Sequence, residues 1–358
     1  MTPDLAMRDQ VPLAPHTTLG LGGPARHLVD CRSEADVRAA LEWADRRNLP
    51  LFVLGGGSNV VFPDSGYPGL VARITTREVT FGDGDGPRVV AAAGAPWDDV
   101  VRGTVDRGWG GIECLSGIPG SVGATPMQNV GAYGQEVAGT IEAVTCLDRR
   151  TLEQRVFEPD ECEFGYRTSR FKGRDRGRFV ILQVTFSLVR DAPPCLAYAE
   201  LRDAVARRGS PAGIGPAAAL RRVREQVLAL RRGKAMVLDP ADPESRSAGS
   251  FFLNPVLTDA AFADLQKRWA AQGGEGPIPV FPVDRGVKVP AAWLVERAGF
   301  RKGTRRGGVG ISRRHALALV NYGGTAAELV ALAREVAGAV EQRFGIRLDP
   351  EPEIVGVT

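Results

Sequence analysis

Histidine is almost missing from this chain: three in 358 residues, His16, His27 and His315. That excludes a poly-histidine metal centre and most Ser/His/Asp arrangements, so a cofactor is expected to carry any hard chemical step. The five cysteines (Cys31, Cys114, Cys146, Cys162, Cys195) are odd in number, scattered and without a CxxC pair. Neither a disulfide framework nor a zinc site fits that pattern, and a reducing compartment does. A charge surplus is also lacking, since 45 basic against 42 acidic residues leave only +3. Bulk electrostatics therefore predict no nucleic-acid or membrane partner, and any bound anion must be held locally. No run approaches the ~18 apolar residues of a membrane span. Met1 to Thr18, with Asp4, Arg8, Asp9 and three prolines, has no apolar h-region. The expectation is a cytoplasmic monomer, without a metal, working on small molecules.

Glycine is what the chain has in quantity, 44 residues, five of them in the eighteen from Gly117 to Gly134. That stretch begins Gly117-Ile118-Pro119-Gly120-Ser121-Val122-Gly123 and ends Gln128-Asn129-Val130-Gly131-Ala132-Tyr133-Gly134. Glycines at this density let backbone N–H groups approach a ligand and permit positive φ. The prolines, amides and tyrosine make the stretch too rigid and too specific for a linker. It reads as a wall against a flat or phosphorylated cofactor.

The length predicts two or three domains. Arg26 to Cys31 reads as a strand, and Ser33 opens a Ser-x-x-Asp capping pattern before a helix carrying Val37, Leu41 and Ala44. Leu51 to Leu54 is a buried strand running into Gly55-Gly56-Gly57-Ser58-Asn59, where clustered backbone N–H groups would make an anion nest. Val60 stands where G-x-G-x-x-G needs its third glycine. Gly20 to Ala25 matches better, but no apolar strand precedes it and Pro24 looks like the entry to the next one, so a Rossmann domain is excluded. A second region starts at Val89 and includes strands Ile141 to Cys146 and Phe179 to Leu188. Arg190 to Pro216 reads as a connector, and Ala217 to Arg232 as a helix. Thr325 and Glu328 form a capping box before a helix with Leu329, Leu332, Val336, Val340 and Phe344 on one side, ending at Gly345.

Five segments in order, Gly55 to Asn59, Gly117 to Gly134, Gly165-Tyr166-Arg167-Thr168-Ser169-Arg170-Phe171-Lys172, Ala248-Gly249-Ser250-Phe251-Phe252-Leu253-Asn254-Pro255 and Leu348-Asp349-Pro350-Glu351-Pro352-Glu353, resemble the UDP-N-acetylenolpyruvoylglucosamine reductase (UDP-N-acetylmuramate dehydrogenase) family of peptidoglycan synthesis. The resemblance spans about Thr17 to Gly356. It implies an α+β (α/β) fold: a two-subdomain FAD-binding module of vanillyl-alcohol-oxidase type followed by a C-terminal α/β substrate domain. The corresponding boundaries are FAD subdomains at 1–80 and 81–190, a connector or substrate loop at 191–216, a substrate domain at 217–345 and a C-terminal segment at 346–358.

The same resemblance implies the chemistry. NADPH reduces FAD, and the reduced flavin gives a hydride to the enolpyruvyl ether of the UDP-sugar, leaving a lactyl ether. Arg167, in Tyr-Arg-x-Ser, would bind the substrate carboxylate and stabilise the enolate, Ser250 would protonate C2, and Glu351 would assist at the carboxylate end, with Glu353 as its rival. Gly55, Gly56, Gly57, Ser58 and Asn59 would hold the FAD pyrophosphate. Gly117, Ile118, Pro119, Gly120, Gly123, Gln128, Asn129, Gly131, Ala132 and Tyr133 would line the flavin and ribityl chain. Neither segment contains His or Cys, so FAD is expected to be non-covalent. Tyr166, Arg231, Lys234 and Asn254 would face the substrate, the basic pair at its diphosphate. Tyr198 resembles the tyrosine of a mobile loop in one family class, against an ordinary helix-face tyrosine, and His315 either lines the cleft or faces solvent. Two other classes share parts of the pattern: a sugar or lactone oxidase of the same fold, and a non-catalytic nucleotide-sugar sensor.

Overall fold

The computed structural model describes residues 5–208, 213–283 and 286–356. The chain divides into two compact units: Met1–Pro12, Pro24–Ser58 and Tyr67–Val237 form the first, Leu13–Gly23, Asn59–Gly66 and Leu238–Thr358 the second.

Two larger sheets organise the first unit. In one, the strands run Arg8–Pro12, Pro24–Cys31, Tyr67–Ile74, Leu51–Leu54 in spatial order. The last three are parallel to one another, and Arg8–Pro12 pairs antiparallel to Pro24–Cys31. Helix α1 (Glu34–Asp45) makes the crossover, and its Ser33–Asp36 capping box forms as the sequence predicts. Val37, Ala40, Leu41 and Ala44 supply its buried face. In an open parallel sheet, ligand-binding loops lie beyond the carboxyl ends of the strands. The glycine turn after Leu54 is such a loop.

The other sheet is antiparallel: Gln154–Phe157, Ile141–Asp148, Phe179–Ser187, Arg88–Ala92, Val79–Gly82. Helix α2 (Trp97–Asp106) buries Trp97, Val100, Val101 and Val105 in the shared core. The segment read as a connector contains a nine-residue helix, α3 (Ala199–Arg207). It packs Leu201 and Val205 on Val223 and Val227 of α4 (Pro216–Gly233), in a buried cluster that also includes Cys114.

The second unit has a four-stranded antiparallel sheet, Ser247–Ser250, Ala318–Asn321, Val309–Ile311, Arg305–Arg306. Helices α5 (Asp259–Ala271), α6 (Ala291–Arg297) and α7 (Ala326–Phe344) contribute to its core. Helix α7 carries the predicted capping box at Thr325 and Glu328, buries the predicted face, and stops at Gly345 with φ +69°. Two short excursions of the chain join this core through Leu19, Leu21 and Val61. Among the described residues no helix is long and apolar enough to cross a membrane.

Candidate functional site

In the first unit the two glycine segments meet. A Cβ on Gly56 would lie 2.6 Å from Gly120 Cα, one on Gly55 would lie 2.6 Å from Ser121 Oγ, and one on Gly120 would lie 2.7 Å from Ser58 Oγ. The two backbones are thus in direct contact, an approach open only to glycine. The wall is anchored to the sheet end: Trp97 N–H donates to Gly120 O (3.1 Å), Val122 N–H to Ala95 O (2.9 Å) and Gly123 N–H to Ala93 O (2.8 Å). Gly123 is glycine for packing, since its Cβ would lie 2.6 Å from that of Ala93. Ser121 Oγ is buried without a hydrogen-bond partner. An orphaned hydroxyl beside a glycine turn fits a polar ligand such as a cofactor phosphate, which would complete it.

Gly117 is clamped from two helices. Its N–H donates to Asp98 Oδ1 (2.6 Å), and its carbonyl accepts from Arg231 Nε (3.3 Å). Asp98 also receives both guanidinium nitrogens of Arg224, at 2.6 and 2.7 Å. Burial pushes the Asp98 carboxyl up, but the bonds from Arg224 and Gly117 together hold it below its ordinary value. Arg231 is buried and donates its other bond to Met236 O (2.8 Å), and burial lowers its affinity for its proton. In these contacts Arg231 shapes the wall. Ile118 packs against the core.

At the far end of the wall, Gly131–Ala132 and Gln135–Glu136 form a hairpin whose two-residue turn, Tyr133 and Gly134, has φ of +49° and +89°. Two positive values identify the turn that matches strand twist. Asn129, buried at φ +44°, donates to Glu136 Oε2 (2.6 Å) and Gly165 O (3.1 Å) and accepts from Ala138 N–H (3.1 Å). Its side chain ties the wall to the Tyr-Arg-x-Ser segment. That segment docks through Ser169 Oγ on Met127 O (2.7 Å) and Lys172 Nζ on Gln128 Oε1 (3.4 Å). Arg167 has φ +54°, an uncommon value for a side-chain-bearing residue. Its guanidinium donates to the carbonyls of Asn129 and Gly131 and lies 5.6 Å from the Tyr166 ring. The cation predicted to meet the substrate carboxylate is therefore held against the predicted flavin wall.

Tyr133 and Tyr198 pack edge to face, with centroids 5.4 Å apart at 89°. Tyr198 caps the start of α3, and burial is the main reason its hydroxyl and that of Tyr133 are pushed up, Tyr133 to about 12. Lys234, at the end of α4, lies 5.6 Å above the Tyr133 ring and pairs with Glu200. Tyr133, Tyr198, Arg231 and Lys234 are thus one neighbourhood.

The second unit carries the other candidates. Ser250 ends strand Ser247–Ser250 opposite Ala318, after Gly249 at φ +74°. Phe251 N–H donates to Leu317 O (2.8 Å), and Glu351 N–H donates to Phe251 O (2.8 Å). Ser250 thus immediately precedes the residue to which Glu351 is bonded, and that pairing continues with Leu253 N–H on Asp349 O (2.9 Å). Asn59 Nδ2 donates to Glu351 O (3.2 Å), and Asn59 O accepts from Glu353 N–H (3.0 Å). Glu351 is half-buried; Glu353 is exposed on the short strand paired with Val60–Val61. Asn254 commits its side-chain oxygen to Ala291 N–H at the start of α6 (2.8 Å). His315 Nδ1 accepts from Leu317 N–H (3.2 Å), so a neutral ring carries its proton on Nε2.

Several participants were not singled out from sequence. Ser121 and Glu200 sit inside segments already noticed, so their signal was present. Asp98 and Glu113 had none. Glu113 is buried and accepts from Gly111 N–H (2.8 Å) and Cys195 N–H (2.9 Å), tying the wall's approach to the segment before α3. Glu244 is buried and accepts from Ser312 Oγ (2.6 Å), Arg313 N–H (2.9 Å), Arg313 Nε (3.1 Å) and Tyr322 O–H (2.5 Å). It fixes the turn that leads to His315.

A parallel sheet ending in a glycine turn, a second glycine segment against it and an orphaned buried hydroxyl define a nucleotide-cofactor protein, and the FAD binding domain family matches residues 25–149. The chain is an FAD-dependent oxidoreductase. The family described as UDP-N-acetylenolpyruvoylglucosamine reductase, C-terminal domain, matches residues 240–355. The UDP-N-acetylenolpyruvoylglucosamine reductase of Thermobifida fusca is 49% identical over 97% of this chain and 98% of its own length. That of Streptomyces coelicolor is 48% identical over 97% of this chain and 89% of its own length. The crystal structure of the Thermus caldophilus reductase superposes with a TM-score of 0.66 at 25% identity, covering 98% of each chain. This chain belongs to the UDP-N-acetylenolpyruvoylglucosamine reductase family.

Proposed function

We infer that this oxidoreductase converts UDP-N-acetylenolpyruvoylglucosamine to UDP-N-acetylmuramate with electrons from NADPH, a step of peptidoglycan synthesis, and that Arg167, Ser250 and Glu351 serve its second half-reaction. The family membership supports the reaction. The observation that supports the residue assignment is the backbone bonding of Phe251 to Leu317 and Glu351, which brings Glu351 to the residue next to Ser250 although the two lie far apart in sequence.

The chemistry that bound FAD supplies is the relay of a hydride from NADPH to the terminal alkene carbon. Gly55 to Asn59 and Gly117 to Tyr133 would hold it non-covalently, the orphaned Ser121 hydroxyl included. As negative charge develops on the substrate's C2 and carboxylate, a guanidinium pre-set by two carbonyl oxygens lowers the barrier without reorganising. Ser250 delivers the proton to C2. A serine is a weak acid, but an enolate is basic enough to take its proton from a donor held in place. Glu351 assists at the carboxylate end. Tyr166, Tyr198, Lys234, Asn254 and His315 would contact the rest of the substrate, whereas Arg231 acts by holding Gly117. Both substrates are nucleotides of the cytoplasm, where the protein would work as a monomer, a state that light scattering checks.

Anaerobic rapid mixing tests the assignment. Ser250→Ala should leave FAD binding and reduction by NADPH nearly intact and slow reoxidation by the UDP-sugar at least ~10³-fold. An equal loss in both half-reactions would remove Ser250 from the proton-donor role.

A further inference from the structure

Lys234 Nζ lies 2.6 Å from Glu200 Oε2. Glu200 is in the first turn of α3, and Lys234 caps the end of α4. Each charge sits where its own helix dipole favours it, an anion at an N-terminus and a cation at a C-terminus. Both side chains are partly exposed, 27% for Lys234 and 40% for Glu200, and a pair so placed contributes little to folding. Glu200 also keeps the field of its own helix if Lys234 turns away.

Resting on the reading of Lys234 as a ligand of the substrate's diphosphate, we propose that Glu200 is a displaceable counter-ion: it occupies the ammonium until the diphosphate takes its place, and so sets the affinity for the nucleotide end of the substrate. A diphosphate brings more charge and more acceptor oxygens than one carboxylate, so it wins the exchange. The exchange reaches Tyr198. That residue precedes Glu200 by one position beyond Ala199, and its ring rests on the same Tyr133 that Lys234 covers. Loss of the Glu200 contact therefore alters the ion pair two residues from Tyr198 and the cation over the ring that Tyr198 rests on.

The test is a ligand-observed NMR titration of the FAD-loaded enzyme with UDP and with uridine. Glu200→Gln keeps the side chain's size and removes its charge. It should tighten UDP binding roughly two- to fivefold, the scale of an exposed ion pair, with the gain shrinking at high salt. Uridine, which lacks the diphosphate, should bind unchanged. In a Lys234→Ala background the same substitution should have no effect, because the coupling runs through that ammonium. If Lys234→Ala leaves UDP affinity intact, the reading of Lys234 fails and the proposal with it. If Lys234→Ala weakens UDP binding but Glu200→Gln weakens or does not change it, Lys234 stands and the counter-ion role is overturned. Tightening that persists without Lys234 would be a general charge effect and would overturn it too.

Discussion

Glu351 and Glu353 are two residues apart, yet they occupy different surroundings. The first is half-buried with its N–H on Phe251 O, and the second is exposed with its N–H on Asn59 O. Glu351→Gln should cripple reoxidation of the reduced enzyme, and Glu353→Gln should be mild; the reverse ranking would show that spacing from Leu348 misassigned them. A parallel contrast separates Arg167 from Lys234. Contacts made equally in ground and transition states change binding alone, while those that strengthen as charge develops change rate. Arg167→Ala should therefore lower the single-turnover rate even at saturating substrate, and Lys234→Ala should mainly raise the Michaelis constant. A saturating rate near wild type for Arg167→Ala would reduce Arg167 to a binding residue. The candidate chemical residues could be proposed from sequence because short motifs surround them. The structural duties of Asn129 and Arg231 were not, because their partners include Gly165 and Gly117, 36 and 114 positions away. Glu244 adds a pH dependence. Burial pushes its carboxyl up, but the bonds from Ser312, Tyr322 and Arg313 together hold it below its ordinary value. A carboxyl depressed on folding stabilises the protein above its unfolded pKa of ~4.3 and loses that contribution as pH falls through the folded value. Glu244→Gln should flatten the acid limb of the melting-temperature curve below about pH 4.3, as followed by circular dichroism; an unchanged limb would mean the four bonds carry no net preference for the charged form.

At the scale of elements, periodicity located the strands Pro24–Cys31, Leu51–Leu54, Ile141–Asp148 and Phe179–Ser187 and the helices α1, α4 and α7 to within a few residues. Helix α3 was not legible. It is short and follows Pro193 and Pro194, and its apolar residues Leu201 and Val205 acquire a stripe only against α4. The two glycine segments were each visible, but their mutual contact was not, since sequence does not show which backbones touch. That contact makes a prediction. Gly120→Ala forces a side chain into φ +119° and against Ser58, and Gly56→Ala drives one into the backbone of Gly120. Each should cost about 1–3 kcal/mol of stability and yield protein that purifies with little flavin. Gly139 is an exposed control, with no atom within 4 Å of its Cβ position, and Gly139→Ala should retain full yellow colour. Thermal unfolding and the flavin-to-protein absorbance ratio report both quantities, and full flavin content in Gly56→Ala would mean that the turn need not approach Gly120 to hold the cofactor.

Over the whole molecule, the order of five motifs was enough to read the family, because each lies within a continuous stretch. The tracing of the two units was not legible. Leu13–Gly23 and Asn59–Gly66 join the second core through partners some 260 to 300 positions away: Asn321 Nδ2 donates to Leu19 O, and Asp64 accepts from the N–H groups of Ala326 and Ala327. No local period records such a pairing. The mode of cofactor attachment is a property of the whole chain, because a covalent flavin needs a nucleophile somewhere within reach. The two glycine segments contain no His or Cys. Cys114, three residues before Gly117, is buried, and burial pushes its thiol up, away from the thiolate that attacks. Heat-denatured protein should therefore release all its flavin to the supernatant. Because a ligand held only by equilibrium stabilises by mass action, titrating FAD into apoprotein should keep raising the melting temperature after the sites are full, adding about 2.7 kcal/mol at a hundredfold excess over Kd. Flavin that stays with the precipitated polypeptide would show a covalent bond, and the side chain carrying it would be one that the glycine wall does not contain.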